Sequence, residues 1–258
     1  MCLILFAWRA HPEHVLMVAA NRDEFFDRPS RAAGFWDDAP DILDGRDLTA
    51  NGPWLGVTRN GRFASITNYR NPAERMPTAP SRGQLVTGFL AGTGSPQAYF
   101  SRVAPRAQQY NGFSMIAADG QSLAFFSNRE GGAREIDAGV HGLSNHLLDT
   151  PWPKVVTGKA RLGELLGKPF DPESYLAMLG DTEPAHDRHL PDTGVGVERE
   201  RKLSSIRIAD GYYGTRCSTL LRFGSDGNAE FWERSYGPDG DATGTVHFSF
   251  RVPTPGQV

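Results

Sequence analysis

The 258-residue chain has few of the features that would narrow its function at once. Its two cysteines, Cys2 and Cys217, cannot build a disulfide framework or a four-thiolate zinc site, which is typical of a reducing compartment. A net charge of −3 excludes the broad basic field of general nucleic-acid or anionic-membrane binding. No apolar run reaches the roughly 18–20 residues of a membrane span, and no basic leader marks a signal peptide. We therefore expect a cytoplasmic protein.

Common catalytic and metal-binding motifs are also missing. There is no Walker A loop, the Gly194–Gly196 segment lacks the third glycine of a dinucleotide fingerprint, and Ser225 lies outside any nucleophile-elbow pattern. Three pairs of histidines are close in sequence: His11 with His14, His141 with His146, and His186 with His189. None has the spacing of a zinc motif, so we expect hydrogen-bonding histidines and no metal site.

The pattern of turns and apolar runs predicts a layered fold. Asn60-Gly61, Asp119-Gly120 and Asp226-Gly227 each separate two strand-like segments. Helical patterns cover residues 82–91, 96–102, 154–166 and 174–179, so strand blocks alternate with helix pairs. This order predicts antiparallel sheets covered by helices, in one domain spanning residues 1–258. Segments 21–34, 37–47 and 181–202 are polar and are predicted to be loops.

Cys2 is the residue whose position carries the most chemical information. Removal of Met1, which is usual before a small residue, would place an α-amine and a thiol on the same residue. Their free pKa values are about 7.7–8.0 and about 8.5, so both exchange protons near neutral pH. Such a residue is a nucleophile with its own general base. The alternative is that Cys2 is a small residue in a buried strand.

The tetrad Asn21-Arg22-Asp23-Glu24 follows about twenty residues later. An antiparallel hairpin of residues 3–8 and 14–20 would return this tetrad to the neighbourhood of Cys2. An arginine there would favour a thiolate, and a carboxylate would hold an α-ammonium group. The alternative is a capping asparagine with a surface Arg–Glu pair.

These residues resemble the NRDE family, also called the transport and Golgi organisation protein 2 family. The resemblance starts with Met1-Cys2, the tetrad and Arg28-Pro29. It continues in order along the chain through Gly52-Pro53-Trp54-Leu55-Gly56, Thr67-Asn68-Tyr69-Arg70, Ser81-Arg82-Gly83, Leu143-Ser144-Asn145, and Tyr213-Gly214-Thr215-Arg216 with Ser218-Thr219. Members of that family have been implicated in haem mobilisation and in lipid or acyl-CoA handling.

More distantly, the chain is similar to cysteine-type N-terminal nucleophile hydrolases such as bile-salt hydrolases and penicillin V acylases. That resemblance implies an α+β fold, a four-layer αββα sandwich of two antiparallel sheets. It also implies site residues: Cys2 as nucleophile, Arg22 and Asp23 beside it, Asn68 as oxyanion-hole amide, Asn145 as a second active-site amide, and Arg216 as a late active-site arginine.

The Arg–Asp spacing departs from that of those hydrolases. In those hydrolases two residues typically lie between the arginine and the aspartate, whereas Arg22 and Asp23 are adjacent. Adjacent side chains of a strand point to opposite faces, so both reach Cys2 only if the chain turns or bulges there. Arg22 therefore fits the resemblance better than Asp23. Cys217, next to Arg216, is expected to be a buried strand residue.

Two functions follow as hypotheses. The first is an amidase that cleaves a non-peptide C–N bond of a small acyl compound and needs no cofactor. The second is a carrier that binds haem, acyl-CoA or a lipid in the same cleft, since fold does not fix function. Both need a small-molecule ligand and neither needs nucleic acid or a membrane span. The pattern leaves the oligomeric state undetermined.

Overall fold

The fold is described over residues 2–253 by a computed structural model. Its strands are β1 Cys2–His11, β2 His14–Phe25, β3 Ser30–Phe35, β4 Ile42–Asp47, β5 Leu55–Thr58, β6 Phe63–Asn68, β7 Phe113–Ala118, β8 Leu123–Ser127, β9 Ala133–Glu135, β10 Gly139–Leu143, β11 Ala209–Asp210, β12 Tyr213–Gly224, β13 Asn228–Tyr236 and β14 Ala242–Arg251. Its helices are α1 Gly83–Leu90, α2 Pro96–Val103, α3 Pro153–Leu166, α4 Pro172–Leu179 and α5 Val197–Lys202.

The strands form two antiparallel sheets. The first, called sheet A here, has the order β10-β1-β2-β12-β13-β14, with β11 added beside β12. The second, sheet B, runs from β3 to β9 in chain order. One apolar core fills the space between the sheets, a second lies between sheet B and helices α1 and α2, and a third lies between sheet A and helices α3 and α4. The α+β sandwich expected from the sequence is confirmed.

The first strand is apolar throughout because it is covered on both faces. Ile4 and Phe6 point into the core between the sheets, whereas Leu3 and Leu5 point toward the helices. All four side chains are fully buried. Continuous apolar runs are typical of strands covered in this way, and alternation marks strands with one wet face. The sequence 3–8 therefore already indicates that β1 is a central strand.

The predicted turns are confirmed by backbone geometry. Gly61, Gly120 and Gly227 have φ values of 83°, 84° and 81°, in the left-handed region that a glycine enters without steric cost. The four predicted helices are also present, with boundaries shifted by one or two residues. Within residues 2–253, no helix is both long enough and apolar enough to cross a membrane.

All three predicted loops contain regular structure, so those predictions were wrong in part: two contain strands, and helix α5 occupies Val197–Lys202 at the end of the predicted 181–202 loop. Strand β2 runs through the polar tetrad to Phe25, and β3 begins at Ser30 within the predicted 21–34 loop. Strand β4 occupies the end of the predicted 37–47 loop. Polarity misled the sequence interpretation because the side chains of Asn21, Arg22 and Asp23 are buried and receive partners from distant parts of the chain.

Asn21 shows why the polar tetrad can lie in a buried strand. Its side-chain amide donates to the carbonyl oxygens of Leu179 and Ile206, both at 2.9 Å. Its carbonyl accepts a 2.6 Å hydrogen bond from the Ser218 hydroxyl. Asn21 therefore ties the end of α4 and the segment before β11 to the centre of sheet A.

Replacing Asn21 with alanine is expected to destabilise the fold strongly. The change removes the side-chain donor of two buried carbonyls, each worth about 1–3 kcal/mol, and leaves the Ser218 hydroxyl with Tyr236 as its remaining partner. We expect the free energy of unfolding in urea to fall by about 3 kcal/mol or more. Gln121→Ala, on the exposed β7–β8 turn, is the control and should stay within about 0.5 kcal/mol. Equal effects of the two substitutions would contradict the anchoring role.

Candidate functional site

The hairpin of β1 and β2 places Cys2 directly opposite Arg22. On the other side of β2, Cys217 of β12 is also paired with Arg22. Cys2 is buried, with 8% of its surface exposed. Its carbonyl accepts a 3.1 Å hydrogen bond from the Ser144 hydroxyl. The pairing expected from the sequence between the start of β1 and the tetrad is thus present in the register.

Arg22 points into the space between the sheets. Its guanidinium donates a 2.8 Å hydrogen bond to Asp47 Oδ2, at the end of β4 in the opposite sheet. Arg28 donates to both oxygens of the same carboxylate, at 2.6 and 3.1 Å. Asp47 therefore joins the two sheets just beside the Cys2–Arg22 pair.

Asp23 lies on the opposite face of β2. One carboxylate oxygen accepts a 2.7 Å hydrogen bond from the Thr215 hydroxyl, and the other lies 3.9 Å from Lys154 Nζ. Neighbouring residues of a strand point to opposite faces, and no bulge interrupts the β1–β2 pairing at Cys2. The side chains of Arg22 and Asp23 thus approach the start of β1 from its two sides.

Burial determines the protonation of this cluster. Desolvation raises the pKa of the Cys2 thiol; the Asp23 charge raises it further, while Arg22 and the Asp23 backbone N–H lower it. Desolvation also raises the pKa of Asp23 and lowers that of Lys154. The two charges act the other way: Lys154 lowers the pKa of Asp23, and Asp23 raises the pKa of Lys154. Cys2 is therefore a thiol at neutral pH in this environment and needs a base to become a nucleophile.

Asn145 and Asn68 belong to a hydrogen-bonded junction between the sheets. The side-chain amide of Asn145 donates to the backbone carbonyl of Asn68 at 3.1 Å. The backbone carbonyl of Asn145 accepts from the backbone N–H of Arg70 at 2.7 Å. The Thr67 hydroxyl donates to the Ser144 carbonyl at 2.6 Å. Asn145 is completely buried and Asn68 is exposed. Asn145 thus fixes the end of β6, and the Asn68 side chain reaches the adjacent cleft.

That cleft has a volume of about 410 Å³ and is lined mainly by polar and aromatic side chains. Its wall includes Asn68, Asn145, Phe25, Tyr69, Tyr213, five arginines (Arg70, Arg75, Arg82, Arg129 and Arg199) and two glutamates (Glu24 and Glu74). Ser144, which binds the Cys2 carbonyl, directly precedes Asn145 of this wall, so the start of β1 adjoins the cleft although Cys2 is not one of the lining residues. Arginines outnumber carboxylates in the wall, although the whole chain is acidic.

Arg216 lies outside the cleft. Its guanidinium donates to the carbonyls of Phe25 and Arg28, at 2.9 and 2.8 Å, and to the Ser30 hydroxyl at 3.2 Å. It lies where the β2–β12 register shifts, between Thr215 and Cys217. Arg216 therefore holds the β2–β3 connection, which carries Arg28 to Asp47.

Three residues near the site were not identified from the sequence. Lys154 is one of only four lysines in the chain, and it is fully buried beside Asp23. Arg70 is buried and donates a 2.6 Å hydrogen bond to Glu200. Arg82, in the cleft wall, donates to the Gly112 carbonyl at 3.0 Å. The family motifs include Arg70 and Arg82 but not Lys154, whose only signal was the scarcity of lysine.

A second group of ionisable residues lies behind Arg22, between the sheets. Asp44 and Glu233 are buried, and desolvation raises the pKa of both, with the charge of Glu233 also acting on Asp44. Desolvation also raises the pKa of Cys217 well above its ordinary value, which fits the expected buried strand residue. Cys217 is thus an unreactive thiol in this environment.

Comparison with known sequences identifies the family. Residues 1–238 match the sequence profile described as transport and Golgi organisation 2. The transport and Golgi organization protein 2 homolog of Bos taurus is 36% identical over 279 residues, covering 98% of this chain and 99% of the relative. The Homo sapiens homolog is 35% identical over 257 residues, covering 91% and 93%. The chain belongs to the transport and Golgi organisation 2 family.

A solved structure shares the architecture. The Caenorhabditis elegans ortholog of N-acylethanolamine-hydrolyzing acid amidase superposes with a TM-score of 0.50, over 85% of this chain and 92% of that one, at 12% sequence identity. At this identity the likeness shows the fold alone. This member of the transport and Golgi organisation 2 family thus has the fold of N-terminal nucleophile hydrolases, as expected from the sequence.

The loop that carries Asn145 is held by Asp149. Burial of this carboxyl raises its pKa, but hydrogen bonds from His141 at 2.8 Å, Lys159 at 2.6 Å and the Gly142 N–H at 3.0 Å outweigh burial. They lower the pKa of Asp149 from 3.8 to about 2. The ionised carboxylate therefore stabilises the folded state.

Asp149→Asn is expected to destabilise the protein in a pH-dependent way. Because the folded pKa of Asp149 is depressed, its stabilisation is complete above pH 4 and is lost as pH falls from about 4 to 2. We expect a loss of about 1–2 kcal/mol at pH 7, after allowing for solvent screening of this partly exposed group. Urea unfolding at pH 7 and pH 3 measures it. A difference between variant and parent that stays constant with pH would contradict the assignment.

Proposed function

We propose that this protein is a cysteine N-terminal nucleophile amidase that cleaves a non-peptide C–N bond of a small acyl compound. The observation that carries the proposal is the register of β1 and β2, which pairs Cys2 with Arg22. The Ser144-Asn145 segment links the start of β1 to an arginine-rich cleft, because Ser144 binds the Cys2 carbonyl and Asn145 lines that cleft. The proposal requires removal of Met1, which would give Cys2 a free α-amine. The amidase activity of the structural neighbour belongs to that protein, and here it is a proposal.

The proposed reaction uses Cys2 alone for both nucleophile and base. The α-amine takes the thiol proton, and Sγ attacks the carbonyl carbon of the amide. The C–N bond then breaks, the leaving nitrogen takes the proton, and the acyl group remains on Sγ as a thioester. Water, losing a proton to the α-amine, attacks the thioester, so a carboxylate leaves and Sγ recovers its proton. A base is needed because burial raises the pKa of the thiol.

The surrounding residues have distinct proposed roles. Arg22 favours the thiolate, and Asp23 is suited to hold the α-ammonium form that appears after proton transfer. The exposed carboxamide of Asn68 is suited to donate a hydrogen bond to the oxyanion. The side-chain amide of Asn145 positions Asn68 by donating a hydrogen bond to the Asn68 backbone carbonyl. Arg216 acts at a greater distance, by holding the chain that carries Arg28 to Asp47.

The cleft suggests the class of acyl compound. Arg75 and Arg199 are exposed in its wall, and neither forms an ion pair among residues 2–253. An anionic group on the substrate would be attracted to these guanidinium groups. The aromatic rings of Phe25, Tyr69 and Tyr213 offer an apolar surface beside them. We therefore propose an acyl compound that carries a carboxylate or phosphate.

A carrier of haem or acyl-CoA is the second candidate function. The arginine-rich cleft supports it equally, because haem propionates and acyl-CoA phosphates are anions that arginines bind. The burial of Cys2 also favours it over catalysis, since a buried thiol with a raised pKa is a poor nucleophile without a base. The two functions differ in whether Cys2 is needed chemically.

Cys2→Ala is expected to abolish amide cleavage while Cys217→Ala retains it. Cys2 supplies both nucleophile and base, whereas burial makes Cys217 unreactive. The assay compares fluorogenic aryl amides of a dicarboxylic half-acid with those of the corresponding neutral acid. Intact-mass spectrometry first establishes removal of Met1 and selective labelling of Cys2 by a limiting thiol-reactive acylating probe. We expect faster cleavage of the anionic amide.

Cleavage that persists in Cys2→Ala would contradict the nucleophile, and equal rates for the two amides would contradict the anionic substrate class. Retention of Met1 would remove the α-amine and contradict the mechanism. If Cys2→Ala binds haemin or acyl-CoA as tightly as the parent, and the parent cleaves no amide, the carrier function is supported instead.

Asn68→Ala is expected to lower kcat by about 10²–10³, the effect of losing one side-chain donor of an oxyanion hole. The side chain is exposed at the end of β6, so the fold should be retained. Asn111→Ala is the matched control, because Asn111 lines the same cleft but binds the backbone of Met76. A similar fall in kcat for both variants would indicate a disturbed cleft and contradict a specific role of Asn68.

A further inference from the structure

The turn between β1 and β2 brings together three side chains that commonly bind metals. His11 and His14 are paired across the hairpin, and their rings stack with centroids 4.7 Å apart. Glu13 lies between them in the turn. One ligand atom from each of the three residues lies within 4.8 Å of the other two. Among the described residues, this is the one group of at least three histidine, cysteine, aspartate or glutamate side chains that approach one another so closely.

His14 has an unsatisfied polar atom at this position. The residue is 7% exposed, and its Nδ1 atom is buried without a hydrogen-bond partner in residues 2–253. Its ring packs edge-on against Phe170, with centroids 6.0 Å apart. Buried polar atoms are nearly always satisfied, by protein, water or an ion. We therefore expect this nitrogen to bind a water molecule or an ion.

The turn is held in place by the neighbouring strands. The Ser225 N–H donates a 3.0 Å hydrogen bond to the Glu13 carbonyl, and Gly224 is paired with His14. The His11 Nδ1 atom accepts a 3.2 Å hydrogen bond from the Glu13 N–H. That bond is long and local, so a stronger ligand could replace it. The Glu13 side chain is exposed and free to change rotamer.

We propose that His11, Glu13 and His14 form a binding site for a divalent transition-metal ion of the zinc type. Two imidazole nitrogens and one carboxylate oxygen suit Zn²⁺, with water as the fourth ligand. Calcium and magnesium prefer all-oxygen sites and are disfavoured. Ligand atoms on a tetrahedral zinc are about 3.4 Å apart, so the ligand atoms must move closer than their present separation of up to 4.8 Å. Because the rings stack, one of them must also rotate; His11, at the edge of the turn, is the more accessible.

The site would act on the fold and not on the cleft. It lies at the opposite end of β1 from Cys2, about 30 Å away at roughly 3.3 Å per residue. The β1–β2 register shifts between Trp8 and His11, next to the proposed ligands. A metal joining His11 to His14 would fix the hairpin at this irregular end and stabilise the same hairpin that pairs Cys2 with Arg22. The inference is independent of the proposed amidase function.

Isothermal titration of the full-length protein with ZnCl₂ tests the site, after removal of bound metal with a chelator. The parent is expected to bind one Zn²⁺, and Zn²⁺ is expected to raise its Tm. His11→Ala/His14→Ala should weaken binding by more than about 100-fold, beyond the ~10–100-fold typical of losing an outer-sphere partner. His186→Ala/His189→Ala is the matched control, because those histidines have the same spacing and lie in an exposed turn. That control should bind Zn²⁺ as the parent does.

Glu13→Gln provides a variant that does not disturb the core, since Glu13 is exposed. It should weaken Zn²⁺ binding by about tenfold or more and leave the Tm of the metal-free protein unchanged. Bound Co²⁺ should show d–d absorption of a four- or five-coordinate site, and the absorption should be lost in the His11/His14 variant. Zn²⁺ binding that survives both the Glu13 and the His11/His14 substitutions, or an absence of binding in the parent, would overturn the proposal.

Discussion

The structure depends on burying charged side chains in the central strand of sheet A. Arg22 and Asp23 are adjacent on β2, which is covered by sheet B on one face and by helices on the other. Charges in such a place are strongly unfavourable unless they are paired, and breaking a buried pair typically costs about 3–5 kcal/mol. Asp47 supplies the partner for Arg22 from sheet B, and Lys154 with Thr215 surrounds Asp23 from the helical side. The site is thus assembled from three layers that meet only in the folded chain.

The loop between β10 and α3 links the β1–β2 hairpin to the end of β6. Ser144 binds the carbonyl of Cys2, and Asn145 binds the carbonyl of Asn68, so one loop contacts β1 of sheet A and β6 of sheet B. The His141–Asp149–Lys159 group holds that loop to β10 and α3. Packing between sheets alone tolerates small displacements. These directed hydrogen bonds therefore fix the position of Cys2 relative to Asn68.

Much of the fold could be predicted from local sequence. The apolar run of β1, the glycine turns and the helix caps are set by short-range preferences; Asp171, for example, caps the start of α4 by accepting from the Glu173 and Ser174 N–H groups. The sequence was misleading where a polar segment is buried, as in residues 21–23, because burial of polar groups depends on partners far along the chain. The ion pair of Asp23 with Lys154 joins residues 131 positions apart, and no local pattern announces it. The roles of Asn68 and Asn145 differ for the same reason: both are asparagines in family motifs, yet the fold exposes one and buries the other.

The sequence by itself determined the family, the layered α+β architecture and the return of the tetrad Asn21–Glu24 to the neighbourhood of Cys2. These follow from motif order, from periodicity and from the geometry of a short antiparallel hairpin, which joins residues close in the chain. Tertiary structure alone decided that Arg22 and Asp23 face different layers, that Arg216 holds the β2–β3 connection and that five arginines share one cleft. It also decided that His11, Glu13 and His14 lie together, with the Nδ1 atom of His14 buried and unsatisfied. Each of these depends on long-range packing, in which desolvation of a polar group is compensated only by the particular residues that the fold brings beside it.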